Sequence, residues 1–243
     1  MRAFAAQTRA EVVMTLRRGE TLLLTVGIPV LLLIFFSLTR VVSSPTAHRV
    51  DFVAPGILAL CAMSTSLVAL SIATGFERAS GVLRRLFVTP LTRRSLIGAK
   101  ITGVLVTEAI QVAVISVVAL LLLWHPDGSW RGAFEVIAVL LLASLGFAGI
   151  GLALAGQLRP EVNLAASNGL YLILLLLSGI VIPLSSLPHV VSRIVIALPS
   201  GALAQGVHRI LGYGHAPTGA DWISLGAWAI LAPLLAARTF RFD

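Results

Sequence analysis

Residues 52–76 read FVAPGILALCAMSTSLVALSIATGF, 25 consecutive positions without a charged side chain. Comparable runs recur along the chain, among them TLLLTVGIPVLLLIFFSLT from Thr21 and VIAVLLLASLGFAGIGLALAGQL from Val136. About 20 apolar residues in a helix cross the hydrocarbon core of a bilayer. A backbone in lipid must satisfy its own hydrogen bonds, so such runs fold as helices and not as open strands. The pattern restricts the chain to the all-α integral membrane class. Charged residues are only 12% of the sequence, against about 25% in an ordinary soluble domain.

Six spans are predicted, at 21–39, 52–76, 101–124, 132–158, 164–182 and 222–237. Six crossings put both termini on one side. With that side taken as cytoplasmic, 13 of the 18 Lys and Arg residues lie inside, which fixes the orientation by the positive-inside rule. Trp124, Trp130 and Trp222 fall at the ends of spans, where interfacial aromatics are expected. The net charge of +8 thus follows membrane topology and does not point to nucleic acid. The first apolar run follows an 18-residue polar segment and exceeds the usual h-region length, so it reads as a span and not as a signal peptide. The single cysteine, Cys61, offers no intramolecular disulfide and no metal motif.

Two segments fit no span. Residues 3–18 carry Phe4, Val12, Val13 and Leu16 toward one side and read as a helix lying on the inner interface. Residues 183–217 are apolar but broken by Pro188, Pro199 and Gly206. Irregular backbone at membrane depth survives only when buried in protein or lining water, so this stretch is expected to be a re-entrant pair on the outer face.

No phosphate-binding loop, zinc-protease helix or nucleophile elbow is present in the sequence. Ser80 and Ser178 precede glycines, but nothing places a histidine base within reach of either, so an intramembrane protease is not supported. The chain is read as no enzyme, and energy for uphill movement must come from a partner or an ion gradient. Glu108, roughly 10 Å into the third span, is the one candidate buried carboxylate for ion coupling; such a group more often hydrogen-bonds a neighbour inside the bundle. Ser64, Ser71 and Thr74 on the second span, and Asn163, Ser167, Tyr171 and Ser178 on the fifth, form polar stripes. They are candidates for a translocation path, with interhelical packing as the alternative. Ser144, Ala148, Gly151 and Ala155 make a small-residue seam on the fourth span.

The most telling stretch is ERASGVLRRLFVTPLTRRSLIGAK at residues 77–100, with six basic residues between two spans. Residues 77–89 are expected to form a short helix stopped by Thr89-Pro90, with Val82, Leu83, Leu86 and Phe87 clustered at helical spacing. The pattern E-R-x-x-G-V-L-x-x-L-x-x-T-P-L resembles the inner loop of ABC-2-type transporter permeases. The likeness extends over nearly the whole chain. It takes in the amphipathic leader, the six spans and the outer pattern I-P-L-S-S-L-P followed by A-L-P-S-G-A-L.

The resemblance implies a single transmembrane domain over 1–243, working as a dimer of identical or homologous permeases with two copies of a separate ATP-binding cassette subunit. ATP and Mg would sit on that partner, with no cofactor on this chain. The inner loop would be a coupling helix docked on the partner, contacted or shaped by Glu77, Arg78, Gly81, Leu83, Arg84, Arg85, Leu86, Phe87, Thr89 and Pro90. The leader would be a connecting helix. The implied role is export of a hydrophobic or amphiphilic compound (drug, lipid or polyketide) across a cell, or inner, membrane. An ion-coupled transporter using Glu108 and a non-transporting scaffold are the alternatives.

Overall fold

The computed structural model describes residues 2–17, 19–39, 49–87, 92–126, 129–180 and 194–240. Among these the secondary structure is helical, without a strand. In chain order come α1 (Arg2–Arg17), α2 (Gly19–Leu38), α3 (Arg49–Ala79), α4 (Val82–Phe87), α5 (Arg93–Leu121), α6 (Trp130–Ala155), α7 (Pro160–Leu177), α8 (Pro199–Tyr213) and α9 (Gly219–Thr239). Five of them, α3, α5, α6, α7 and α9, are long and apolar enough to cross a membrane. The apolar part of α2, Leu23–Leu38, is shorter, about 24 Å at 1.5 Å per residue.

Helices α3 and α6 form the centre. Their most apolar stretches are each 67% buried, against 33%, 17% and 28% for α5, α7 and α9. The outer helices therefore turn apolar residues such as Val117, Leu172, Ile173, Ile230 and Leu231 away from the chain, where hydrocarbon or another subunit can cover them. Two buried clusters hold the bundle. The larger runs through Leu58, Met63, Leu67, Ile115, Phe147 and Leu203; the smaller gathers Leu70, Leu83, Leu96, Leu152 and Phe240.

Local chemistry sets the ends. Ser129 caps α6 by accepting from the Gly132 N–H, and Thr218 with Asp221 makes a capping box at the start of α9. Helix α7 starts at Pro160 and not at 164, because proline at the first turn sacrifices no hydrogen bond. It stops at Leu177, ahead of Gly179 with φ of 83°. The helix expected over 77–89 is divided. Glu77 to Ala79 belong to α3, and Gly81, at φ of 74°, breaks the chain before α4 begins at Val82. Thr89 and Pro90, and residues 183–193 of the broken segment 183–217, lie outside the described residues; Pro199–Tyr213 of that segment is α8.

The tightest packing is between α6 and α9. A Cβ at Gly149 would overlap the backbone of Ala232 and Pro233, one at Gly146 would lie 3.2 Å from Trp228 Cβ, and one at Gly156 would meet Phe240. The sequence seam of Ser144, Ala148, Gly151 and Ala155 is a different face. It is buried and turns toward α3 and α5, where a Cβ at Gly151 would come 2.7 Å from the Leu67 carbonyl oxygen. That carbonyl belongs to residues Ser64–Ala69 of α3, which wind as a π-helix, a form found most often as an isolated bulge at functional sites.

Proline accounts for another contact. Pro29 inside α2 has no N–H to give to the Thr25 carbonyl one turn earlier. Gln111 Nε2, from α5, donates to that carbonyl at 2.8 Å, while its Oε1 accepts from Thr65 Oγ1 at 2.9 Å. One amide thus ties α2, α5 and the π segment at mid-bundle. Replacing Gln111 by Leu removes both contacts; a loss of about 1–2 kcal/mol is expected, read as a lower Tm of the purified protein in detergent.

Candidate functional site

The end of the bundle where α1, α3 and α5 meet is built around Lys100, the chain's only lysine. Its Nζ is 2.5 Å from Glu77 Oε2 at the end of α3 and 3.2 Å from Glu11 Oε1 on α1. The lysine side chain is only 3% exposed. Gln7 Nε2 donates to the same Glu11 oxygen, Oε1, at 2.9 Å. Two glycines let α1 lie this close to α5. A Cβ at Gly98 would stand 3.2 Å from the Phe4 ring, and one at Gly103 would stand 3.3 Å from Glu11 Cβ. Sequence reasoning missed Glu11 and Lys100. The available signal was a lone lysine entering a span, together with carboxylates in segments otherwise rich in arginine.

The stem of the loop between α3 and α5 is held by the same end of the bundle. Arg78 Nη2 donates to the Leu158 carbonyl at 2.8 Å, and Leu83 is fully buried in the smaller cluster. Within the chain, then, Glu77, Arg78, Gly81 and Leu83 shape the loop. Val82 and Arg85 are exposed. The side chains of Arg84, Leu86 and Phe87 lie outside what is described.

The polar stripes come together in a different way. Ser71 Oγ donates to Asn163 Oδ1 at 2.9 Å, Asn163 Nδ2 donates to the Ser71 carbonyl at 2.9 Å, and Ser167 Oγ donates to Ser71 Oγ at 2.8 Å. All three residues are fully buried. Gly75 makes room for them, since a Cβ there would lie 2.7 Å from Asn163 Nδ2. In the single chain this is an interhelical lock between α3 and α7. Asn163→Leu should cost about 1–2 kcal/mol, and Gly75→Ala should reproduce part of that loss by pushing the amide aside; thermal unfolding of the two variants checks both. Ser64 donates to the Cys61 carbonyl and Ser178 to the Leu175 carbonyl. Tyr171 packs half-buried on the larger cluster. Thr74 is buried with an Oγ1 that has no hydrogen-bond partner.

Glu108 is 4% exposed and accepts from Ser144 Oγ at 2.5 Å through Oε2, with Ser66 also beside the carboxylate. The sequence placed it in the bundle interior, and the structure adds that Ser144, from the small-residue seam, is its neighbour.

At the other end, His208 of α8 is set against the start of α3, which holds Pro55. Its Nδ1 lies 2.9 Å from the Ala204 carbonyl and its Nε2 3.1 Å from the Phe52 carbonyl. Burial lowers the imidazole pKa from the usual histidine value, against the two carbonyls that favour the charged ring. The folded form thus binds fewer protons than the unfolded form near the ordinary pKa. Stability contributed here is complete above about pH 6.5 and falls as the pH drops below it. His208→Gln should flatten the pH dependence of Tm between pH 7 and 5.

Residues 2–207 match the description of the ABC-2 type transporter family. Among curated proteins the chain is similar to ABC transporter G family member 20 of Dictyostelium discoideum, 29% identical over 153 residues, covering 61% of this chain and 20% of that protein. It is also similar to the probable multidrug ABC transporter permease YbhS of Escherichia coli K12, 24% identical over 182 residues, covering 74% of this chain and 48% of that permease. The chain therefore spans about half, or less, of the length of these relatives.

Proposed function

The chain belongs to the ABC-2 type transporter family, and from that premise we propose that it is the membrane-spanning subunit of an ATP-driven exporter. ATP hydrolysis takes place on a separate cassette subunit, and the cargo is a hydrophobic or amphiphilic compound. The working unit is two permease chains with two cassette subunits. The membrane domain has six crossings with both termini inside. Helix α2 is the first crossing, α1 lies along the inner interface, and α8 forms part of an outer re-entrant cap. Helix α4 is the coupling helix. Any translocation route runs at the permease dimer axis.

One observation carries this reading. The inner loop is not a free tether: Glu77 and Lys100 join its two flanking helices, and Glu11 joins α1 to α5 through the same lysine. Leu83 anchors α4 in the same cluster as Leu96 and Phe240. A displacement applied at α4 is thereby passed to α1, α3 and α5 as one body, the form of motion that packed helices transmit. The apolar and basic character of α4, with Val82 and Arg85 outward, suits a groove with an acidic rim.

The buried Glu108 carboxylate supports the competing ion-coupled reading. Flux measurements in membrane vesicles separate the two. Transport that stops on ATP depletion and survives collapse of the proton gradient is the expected result. Transport that survives ATP depletion, stops with the gradient and is lost in Glu108→Gln would overturn the ATP-driven reading.

A further inference from the structure

Above the Lys100 bridge, α1, α2, α3 and α5 enclose a cleft of about 110 Å³. Glu11, Glu77 and Lys100 line its inner end. Leu70, Ala73 and Val104 line its flank. Thr74 lines it too, fully buried, and its Oγ1 has no hydrogen-bond partner. A buried hydroxyl without a partner is costly, and here it faces a space large enough for a ligand atom.

Charge selects the ligand. The charged side chains described along the cleft are two carboxylates and one ammonium, a net of one negative charge. Lys100 engages one oxygen of each carboxylate. A second cation would neutralise the set, while an anion would be repelled by it and a neutral headgroup would leave it unbalanced. Three acceptors, Glu11, Glu77 and the Thr74 hydroxyl, line one cleft. A primary ammonium has three N–H donors, whereas a quaternary ammonium has none. The apolar flank offers a path for the first methylenes of a chain.

We propose that this cleft binds the primary ammonium headgroup of an amphiphile, held by Glu11, Glu77 and Thr74 with its chain along Leu70, Ala73 and Val104. Two sources share that chemistry, a soluble alkylamine and the amine headgroup of phosphatidylethanolamine. The proposal concerns the permease chain alone and does not depend on ATP coupling.

The test is equilibrium binding of radiolabelled dodecylamine to the purified full chain in maltoside detergent. Saturable binding that dodecyl sulfate and dodecyltrimethylammonium do not displace is expected. Thr74→Val and Glu11→Gln should each weaken it about tenfold. Ala73→Leu, which fills the cleft and leaves every charge in place, should weaken it as much, and it decides the matter if Glu11→Gln does not fold. Displacement by added phosphatidylethanolamine, and not by phosphatidylglycerol, assigns the site to lipid; no displacement by either assigns it to soluble amine. Non-saturable binding, equal displacement by dodecyltrimethylammonium, or unchanged affinity in Ala73→Leu would overturn the proposal.

Discussion

Lys100→Met is expected to destabilise the protein by about 3 kcal/mol or more, since removing one partner of a buried ion pair leaves the other uncompensated. Here two carboxylates are stranded, because Glu11 and Glu77 both point at the vacated position and would repel each other. The methionine keeps most of the volume, so the effect reports charge and not a cavity. Adding Glu77→Gln to Lys100→Met should recover part of the loss, because the second substitution removes one of the stranded charges. Chemical or thermal unfolding in detergent measures both. A single variant within 0.5 kcal/mol of wild type would show that the bridge contributes little. If the proposed ATP-driven assembly holds, the same variant should lower the flux obtained per ATP hydrolysed, because α1 and α5 are then less firmly joined to the loop between α3 and α5.

Gly149→Leu should be the most damaging apolar substitution in the bundle. The missing Cβ at Gly149 is the space into which the Ala232–Pro233 backbone of α9 fits. Even alanine there requires the helices to separate, and overpacking of a tight core costs about 1–3 kcal/mol for a modest insertion. Leucine adds three further carbons and should prevent α9 from docking at all. The expected readout is loss of a monodisperse peak after membrane extraction. Gly169→Leu on α7 is the control, because no atom lies within 4 Å of a Cβ built there, and it should behave as wild type. Normal yield of Gly149→Leu would contradict the α6–α9 packing.

These two sites show what the sequence carried and what it did not. The all-helical membrane class was legible because lipid leaves a charge-free run few other folds. A short helix between the second and third spans was legible from the clustered apolar residues Val82, Leu83, Leu86 and Phe87; the Thr89-Pro90 stop lies outside the described residues. The exact shape of that helix was not legible. Gly81 reads as one residue among many until its φ of 74° shows that the helix restarts after it. The seam on α6 was half legible. Ser144 and Gly151 stood out as small residues at helical spacing, but Gly146 and Gly149 face a partner that only tertiary structure identifies. Of the polar stripes on α3 and α7, only Ser71, Asn163 and Ser167 come together, and period alone cannot say whether such residues face each other or a dimer axis. Lys100 escaped because its two carboxylates lie 23 and 89 positions away in the sequence, and no local pattern links them.

In the proposed exporter, α4 is the element that would grip an ATP-binding partner. The direct measurement is co-purification of a candidate cassette subunit with this chain, wild type against Leu86→Asp, with ATP hydrolysis followed in the eluted complex. Retention by wild type, and release by a Leu86→Asp variant that still elutes as a folded, monodisperse protein, is the predicted result. Equal retention by both would remove α4 from the interface, and failure of wild type to hold any cassette subunit in mild detergent or nanodiscs would contradict the ATP-driven reading itself.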